Sequence, residues 1–246
     1  MKDFTIIHEE VLEIDFSYQH VKNLIIARLN PWMNLFTFND AKGDIIYKTE
    51  GPLVPEDNGR IPVLILLSNP HPHSVSQGMF LSPNRSGRPN PFWKTMEGTG
   101  YFLPQRAIGP SMMIKNEYES PFRFYMAVLL PFPSEYPDDL IEILGYGGYQ
   151  QMLRNGIGKI ESLIREHRIK NIICFTKLTY DALCRKGSAV GYTNILMSGC
   201  VIQSSSRSSD KVRFFLTFPT GWRYVKNAAT IKTENLRRIF SLIIGS

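Results

Sequence analysis

At 246 residues, 43% hydrophobic and 12% aromatic, the chain can bury a sizeable core, enough for one large α/β domain or at most two small ones. No apolar run reaches 18 residues, which excludes a membrane-spanning helix, and the opening Met1-Lys2-Asp3-Phe4 has no signal-peptide pattern. The net charge of +6 sits in the last 40 residues: positions 1–206 balance 20 basic against 20 acidic side chains, whereas 207–246 hold eight basic and two acidic ones. That excess fits a phosphate-facing edge, or more simply a solvated helix face with a loop. Cys174, Cys184 and Cys200 are odd in number and lack metal spacing, so reduced, buried thiols in a cytoplasmic protein are expected.

Residues 1–16 alternate weakly and predict an extended segment or a short helix. Val21, Leu24, Ile25, Ala27 and Leu29 predict a helix from Phe16 that stops at Asn30-Pro31. Trp32 to Tyr47 reads as a hairpin turning through residues 39–43, followed by a Pro- and Gly-containing loop to Pro62. The run Val63-Leu64-Ile65-Leu66-Leu67 then breaks into Ser68-Asn69-Pro70-His71-Pro72-His73. This pattern is a buried parallel strand delivering polar side chains to the carboxyl edge of a sheet. A long loop follows to Pro91, where a helix begins with Asn90 as its cap.

Residues 97–121 are mixed, and Arg123 to Leu130 reads as a second buried strand. A long helix is expected from about Tyr149 to His167, then a strand at 171–175 and a helix at 179–184. Residues 195–204 and 212–218 read as a strand pair around a polar turn, and the chain closes with a helix over about 230–244. The alternation of strands and helices predicts a three-layer α/β/α fold with a central, mostly parallel four-stranded sheet.

Gly145-Tyr146-Gly147-Gly148 lacks both a preceding strand and a lysine, so it supports neither dinucleotide nor P-loop binding. His71 and His73 form a tempting metal pair, but Pro72 constrains them and no Cys, Asp or Glu lies nearby in sequence; no metal and no cofactor is expected. Asn69 reads either as a turn residue or as a side chain holding a water or ligand at a sheet edge. The run 212–218 ends in Pro219-Thr220-Gly221-Trp222-Arg223, a loop suited to wedging an aromatic ring between bases unless Trp222 folds under the last helix.

Two strand-end loops of this kind, Ser68-Asn69-Pro70 and Phe218-Pro219-Thr220-Gly221-Trp222, resemble the two active-site motifs of the uracil-DNA glycosylase superfamily. The likeness is greatest to its mismatch-specific and single-strand-selective branches, whose first motif carries Asn-Pro. Gly78 to Ser82 resembles the segment that stacks a ring on the extruded base, and Pro89 to Lys94 resembles the helix start after it. The likeness covers roughly residues 60–246 and leaves residues 1–60 as an N-terminal helix-and-hairpin extension packing on a glycosylase-like domain at 61–246.

The resemblance implies a monofunctional DNA glycosylase that flips out and hydrolytically removes a damaged or mispaired base. Asn69 would position the attacking water, with His71 or His73 donating to the departing base. Ser68, Phe80 or Leu81, and Met126 would form the base pocket. Thr220, Gly221, Trp222, Arg223 and Lys226 would contact DNA, either a duplex with a damaged base or a single strand. A monomer with no membrane association is implied. The sequence departs from the pattern at Leu67 and His71, where glycines are usual, at Phe218, where His or Asn is usual, and at Met126, where several branches place Asn. Two other readings stay open: a catalytically diverged nucleic-acid-binding protein of this fold, and an unrelated α/β enzyme acting on a nucleotide-like small molecule.

Overall fold

The computed structural model describes residues 6–13, 17–84, 86–184, 192, 195, 201–205 (backbone only), 212–221 and 226–245. Strand β1 (Ile7–Val11) and helix α1 (Tyr18–Arg28) come first, and a 3-10 turn at Asn30–Leu35 leads into β2 (Phe36–Asn39) and β3 (Asp44–Glu50). Strand β4 (Ile61–Leu67) precedes the short helices α2 (Pro72–Gln77) and α3 (Pro91–Gly98). Strand β5 (Leu103–Pro104), helix α4 (Pro110–Ile114) and strand β6 (Tyr118–Glu119) lead to β7 (Phe122–Val128). The remainder is α5 (Asp139–Glu166), β8 (Asn171–Cys174), α6 (Lys177–Cys184), β9 (Val201–Ser205), β10 (Val212–Leu216) and α7 (Ala228–Ile244).

The four apolar runs form parallel neighbours in the order β7-β4-β8-β10, and β9 adds to β10 as an antiparallel fifth strand. Side chains alternate across each strand, so one run feeds two cores. Leu64, Leu66, Tyr125 and Ile172 join Met152, Ile160 and Leu163 of α5 on one face. Val63, Ile65, Phe124 and Ile173 join Phe92 and Met96 of α3 and Leu236, Ile239 and Phe240 of α7 on the other. Each such side chain contributes about 1.5–3 kcal/mol when fully buried. The result is the expected three-layer α/β/α arrangement.

The first 60 residues join this body closely. Strands β1, β3 and β2 form an antiparallel sheet whose Ile45 and Tyr47 enter the α5-side core with Val21 and Ile25 of α1. Phe36 and Tyr47 set their rings 5.5 and 4.9 Å from that of Phe132 in the loop after β7. Leu53 and Met126 exchange two backbone hydrogen bonds of 2.9 and 3.2 Å.

Several boundaries differ from the sequence expectation. The long helix starts at Asp139 rather than near Tyr149, because its first turns are separated from the rest by Gly145, whose φ of 69° breaks the helical pattern. The stretch after Asn69 is not all loop: Pro72 opens α2, using a residue whose missing N–H costs nothing there. Residues 7–11 are a strand. The polar turn expected between the last two strands falls largely outside the described residues.

Candidate active site at the sheet's carboxyl edge

The chain runs from β4 outward to β7 and then returns to β8 on the other side of β4. The loops after β4 and β8 therefore diverge, and open α/β sheets hold ligands in the crevice formed at such a point. A cleft of about 490 Å³ lies there, lined by Leu67, Ser68 and Asn69 after β4, Phe175 and Thr176 after β8, and Pro219, Thr220 and Gly221 after β10. Small-molecule pockets run to about 300–1,000 Å³, so the space suits one nucleoside-sized group.

Asn69 is held on both sides of its amide. Its Nδ2 donates to the Ser134 carbonyl at 2.8 Å and to Ser134 Oγ at 2.9 Å, and its Oδ1 accepts from Ser68 Oγ at 3.0 Å. Ser134 is fully buried, and its hydroxyl in turn donates a hydrogen bond to the Tyr136 carbonyl. The backbone backs this up: Leu130 N–H donates to the Ser68 carbonyl and Ser134 N–H to the Pro70 carbonyl. With Nδ2 spent, the side chain offers the cleft an acceptor oxygen in a fixed direction.

His71 lines the cleft and caps α2, its Nδ1 accepting from the His73 N–H at 3.1 Å. In the neutral ring that acceptor places the proton on Nε2. His73, named above as a second candidate, is not among the cleft residues. Its Nε2 is bound to the Pro83 carbonyl at 2.8 Å and its ring lies against Trp32.

Leu81 is the apolar wall. Its φ of 51° is left-handed, uncommon for a residue with a Cβ, and its carbonyl accepts from Trp93 Nε1 at 3.0 Å. Of the alternatives Phe80 and Leu81, the structure turns Leu81 to the cleft and buries Phe80 in the α3-side core at 2% exposure. Met126 lies in the same core with no exposure, so it does not face a ligand.

The second loop is pinned from behind. Lys232 of α7 is 9% exposed and donates its ammonium to the Thr220 carbonyl at 2.9 Å, while Thr217 Oγ1 donates to Asn235 Oδ1 at 2.6 Å. Phe218 is not among the residues that line the cleft; it is 1% exposed, with its ring 6.0 Å from that of Tyr192. Trp222 and Arg223 lie outside the described residues, and Lys226 is exposed before α7.

The basic excess of the last 40 residues divides by role. Arg213 binds Asn171 Oδ1 at the start of the strands, the opposite end of the sheet from the cleft. Arg237 donates to the carbonyls of Gly98 and Thr99, closing the end of α3, and pairs with Glu234. Lys226 and Arg238 are exposed.

Sequence reading misses the cleft residues Ser74, Phe175, Thr176 and Tyr192, and most consequentially Glu50. It ends β3, is 4% exposed, and lines the cleft beside Asn69 and Ser74. Its Oε1 has no hydrogen-bond partner among the described residues. Burial pushes its carboxyl up to about 8, so it is mostly neutral at pH 7. No pattern flagged it, since Lys48-Thr49-Glu50-Gly51-Pro52 looks like a solvated strand end.

The fold and cleft define a three-layer α/β protein with a small, partly polar cleft at the switch point of a parallel sheet. A comparison with models of known protein families finds no match, and a comparison with curated protein sequences finds none either.

Proposed function

We propose that the chain is a monofunctional DNA glycosylase that extrudes a damaged or mispaired base into the β4–β8–β10 cleft and hydrolyses its bond to the sugar. The observation that carries this reading is the meeting of the two motif-like loops: Ser68-Asn69 and Pro219-Thr220-Gly221 line one nucleoside-sized cleft from separate strands. Extruding a base costs a few kcal/mol, and sequence places Trp222 on the loop that would fill the vacated stack.

The chemistry needs stabilisation of an oxocarbenium-like sugar and of charge on the departing base. Asn69 Oδ1, fixed by Ser68 and Ser134, accepts a hydrogen bond from a water and aims that water's oxygen at the sugar carbon. A neutral amide does not remove that proton, so its contribution is orientation. Leu81 and Phe175 supply apolar contact for the base.

One observation favours a second reading, a diverged nucleic-acid-binding protein of the same fold: Phe218 is apolar and buried where the resembled motif carries a polar group. Incubating the purified protein with single- and double-stranded oligonucleotides carrying uracil, hypoxanthine, xanthine or mismatched thymine separates the two. Alkali-labile abasic sites are expected on at least one substrate. Tight DNA binding without abasic sites selects the second reading.

A further inference from the structure

We propose that Glu50, a buried carboxyl on the wall of this cleft, is its proton donor, hydrogen-bonding a carbonyl oxygen or ring nitrogen of the extruded base and protonating the base as it leaves. The assignment rests on the glycosylase reading and supplies what Phe218 withholds. A buried carboxyl oxygen without a hydrogen bond is expensive, and native chains hold such groups rarely. Glu50 is held in that state by its surroundings. Thr49 Oγ1 donates to the Pro131 carbonyl, the Gly51 N–H donates to the Ile6 carbonyl at 2.7 Å, and Tyr47 packs on Phe132. The strand end is thus fixed on the loop after β7, and the side chain is held in the cleft wall with its Oε1 sealed from water.

The charged and titratable groups around it do not replace it. His71 caps α2, Glu135 and Tyr136 are exposed on the loop before α5, and Tyr192 accepts from the Lys177 N–H. On β1, Ile7 pairs with Glu50, while the neighbouring His8 is bound to Glu10. The upward shift of Glu50 arises from burial, which keeps the proton on the carboxyl at neutral pH.

The step balances. The Oε–H bond breaks and its proton passes to the base. The electron pair of the glycosidic C–N bond leaves with the base. Water adds a lone pair to the electron-poor sugar carbon, and its surplus proton returns to the Glu50 carboxylate.

The test is single-turnover base release by the full chain and its Glu50→Gln and His71→Ala variants across pH 5–10, with carboxyl-¹³C NMR of glutamate-labelled protein. Glu50→Gln should lower the rate by about 100-fold or more without weakening oligonucleotide binding. The wild-type rate should fall above pH 8, and His71→Ala should keep that alkaline limb. Free uracil, hypoxanthine or xanthine should shift the Glu50 carboxyl resonance and raise its midpoint. A Glu50→Gln rate within threefold of wild type overturns the assignment, as does a resonance that no base perturbs. If the wild type releases no base from any oligonucleotide, the glycosylase reading fails, and the NMR arm alone decides whether Glu50 hydrogen-bonds a base.

Discussion

Asn69 and Glu50 show two ways a polar side chain survives at the edge of a core. Asn69 has its amide satisfied by Ser68 and Ser134 and leaves one face of Oδ1 to the cleft. Glu50 is satisfied by nothing among the described residues at Oε1 and keeps its proton instead. The folded chain therefore binds one proton more than the unfolded chain between the ordinary carboxyl value of 4.5 and about 8. This contribution to stability is fully present below pH 4.5, falls across that window and is lost above it. Glu50→Gln should flatten the slope, stabilising the chain by on the order of 3 kcal/mol at pH 7 and by little at pH 4.5. Urea unfolding at the two pH values checks it. Asn69 was legible because it breaks an apolar run next to a proline. Glu50 was not, because its burial depends on β3 docking against the distant loop at 131–133.

At the scale of elements, the strands that form the sheet were readable from apolar runs bounded by Pro, Gly and Asn, and α3 from its Asn90 cap, whose Oδ1 accepts from the Phe92 N–H at 3.0 Å. The start of α5 and the existence of α2 were not, because Gly145 and the prolines around His71 look like loop signals. Within α5, Gly156 is where the helix meets the sheet: a Cβ there would stand 1.8 Å from the Leu129 carbonyl oxygen. Gly156→Ala should force the helix outward and destabilise by on the order of 3 kcal/mol, lowering the thermal midpoint by about 10 °C in a calorimetric scan. The bond from Lys232 to the Thr220 carbonyl carries a different burden, since it fixes a loop that lines the cleft. Lys232→Met should leave the midpoint within several degrees of wild type while cutting the single-turnover base-release rate about tenfold.

Across the whole molecule, the surprise is the contribution of residues 1–60. The sequence sets them apart as an extension of the α/β body. They also complete the α5-side core through Leu35, Ile45 and Tyr47 and hand Glu50 to the cleft. Three such side chains at about 1.5–3 kcal/mol each approach the total stability of an ordinary domain, about 5–15 kcal/mol. A chain truncated to 61–246 should therefore lose its cooperative thermal transition, as circular dichroism would show. The site's outline followed from two strand-end loops, whereas its third wall comes from a sheet with no sequence link to either. The proposed glycosylase activity requires that this joint cleft release bases. Its most direct measurement is chromatographic quantification of free base in single-turnover reactions of wild type and Asn69→Ala on the oligonucleotides named above. Release by the wild type is expected, reduced about 100-fold or more in a folded Asn69→Ala variant. Release at equal rates by both proteins, or by neither, would contradict it.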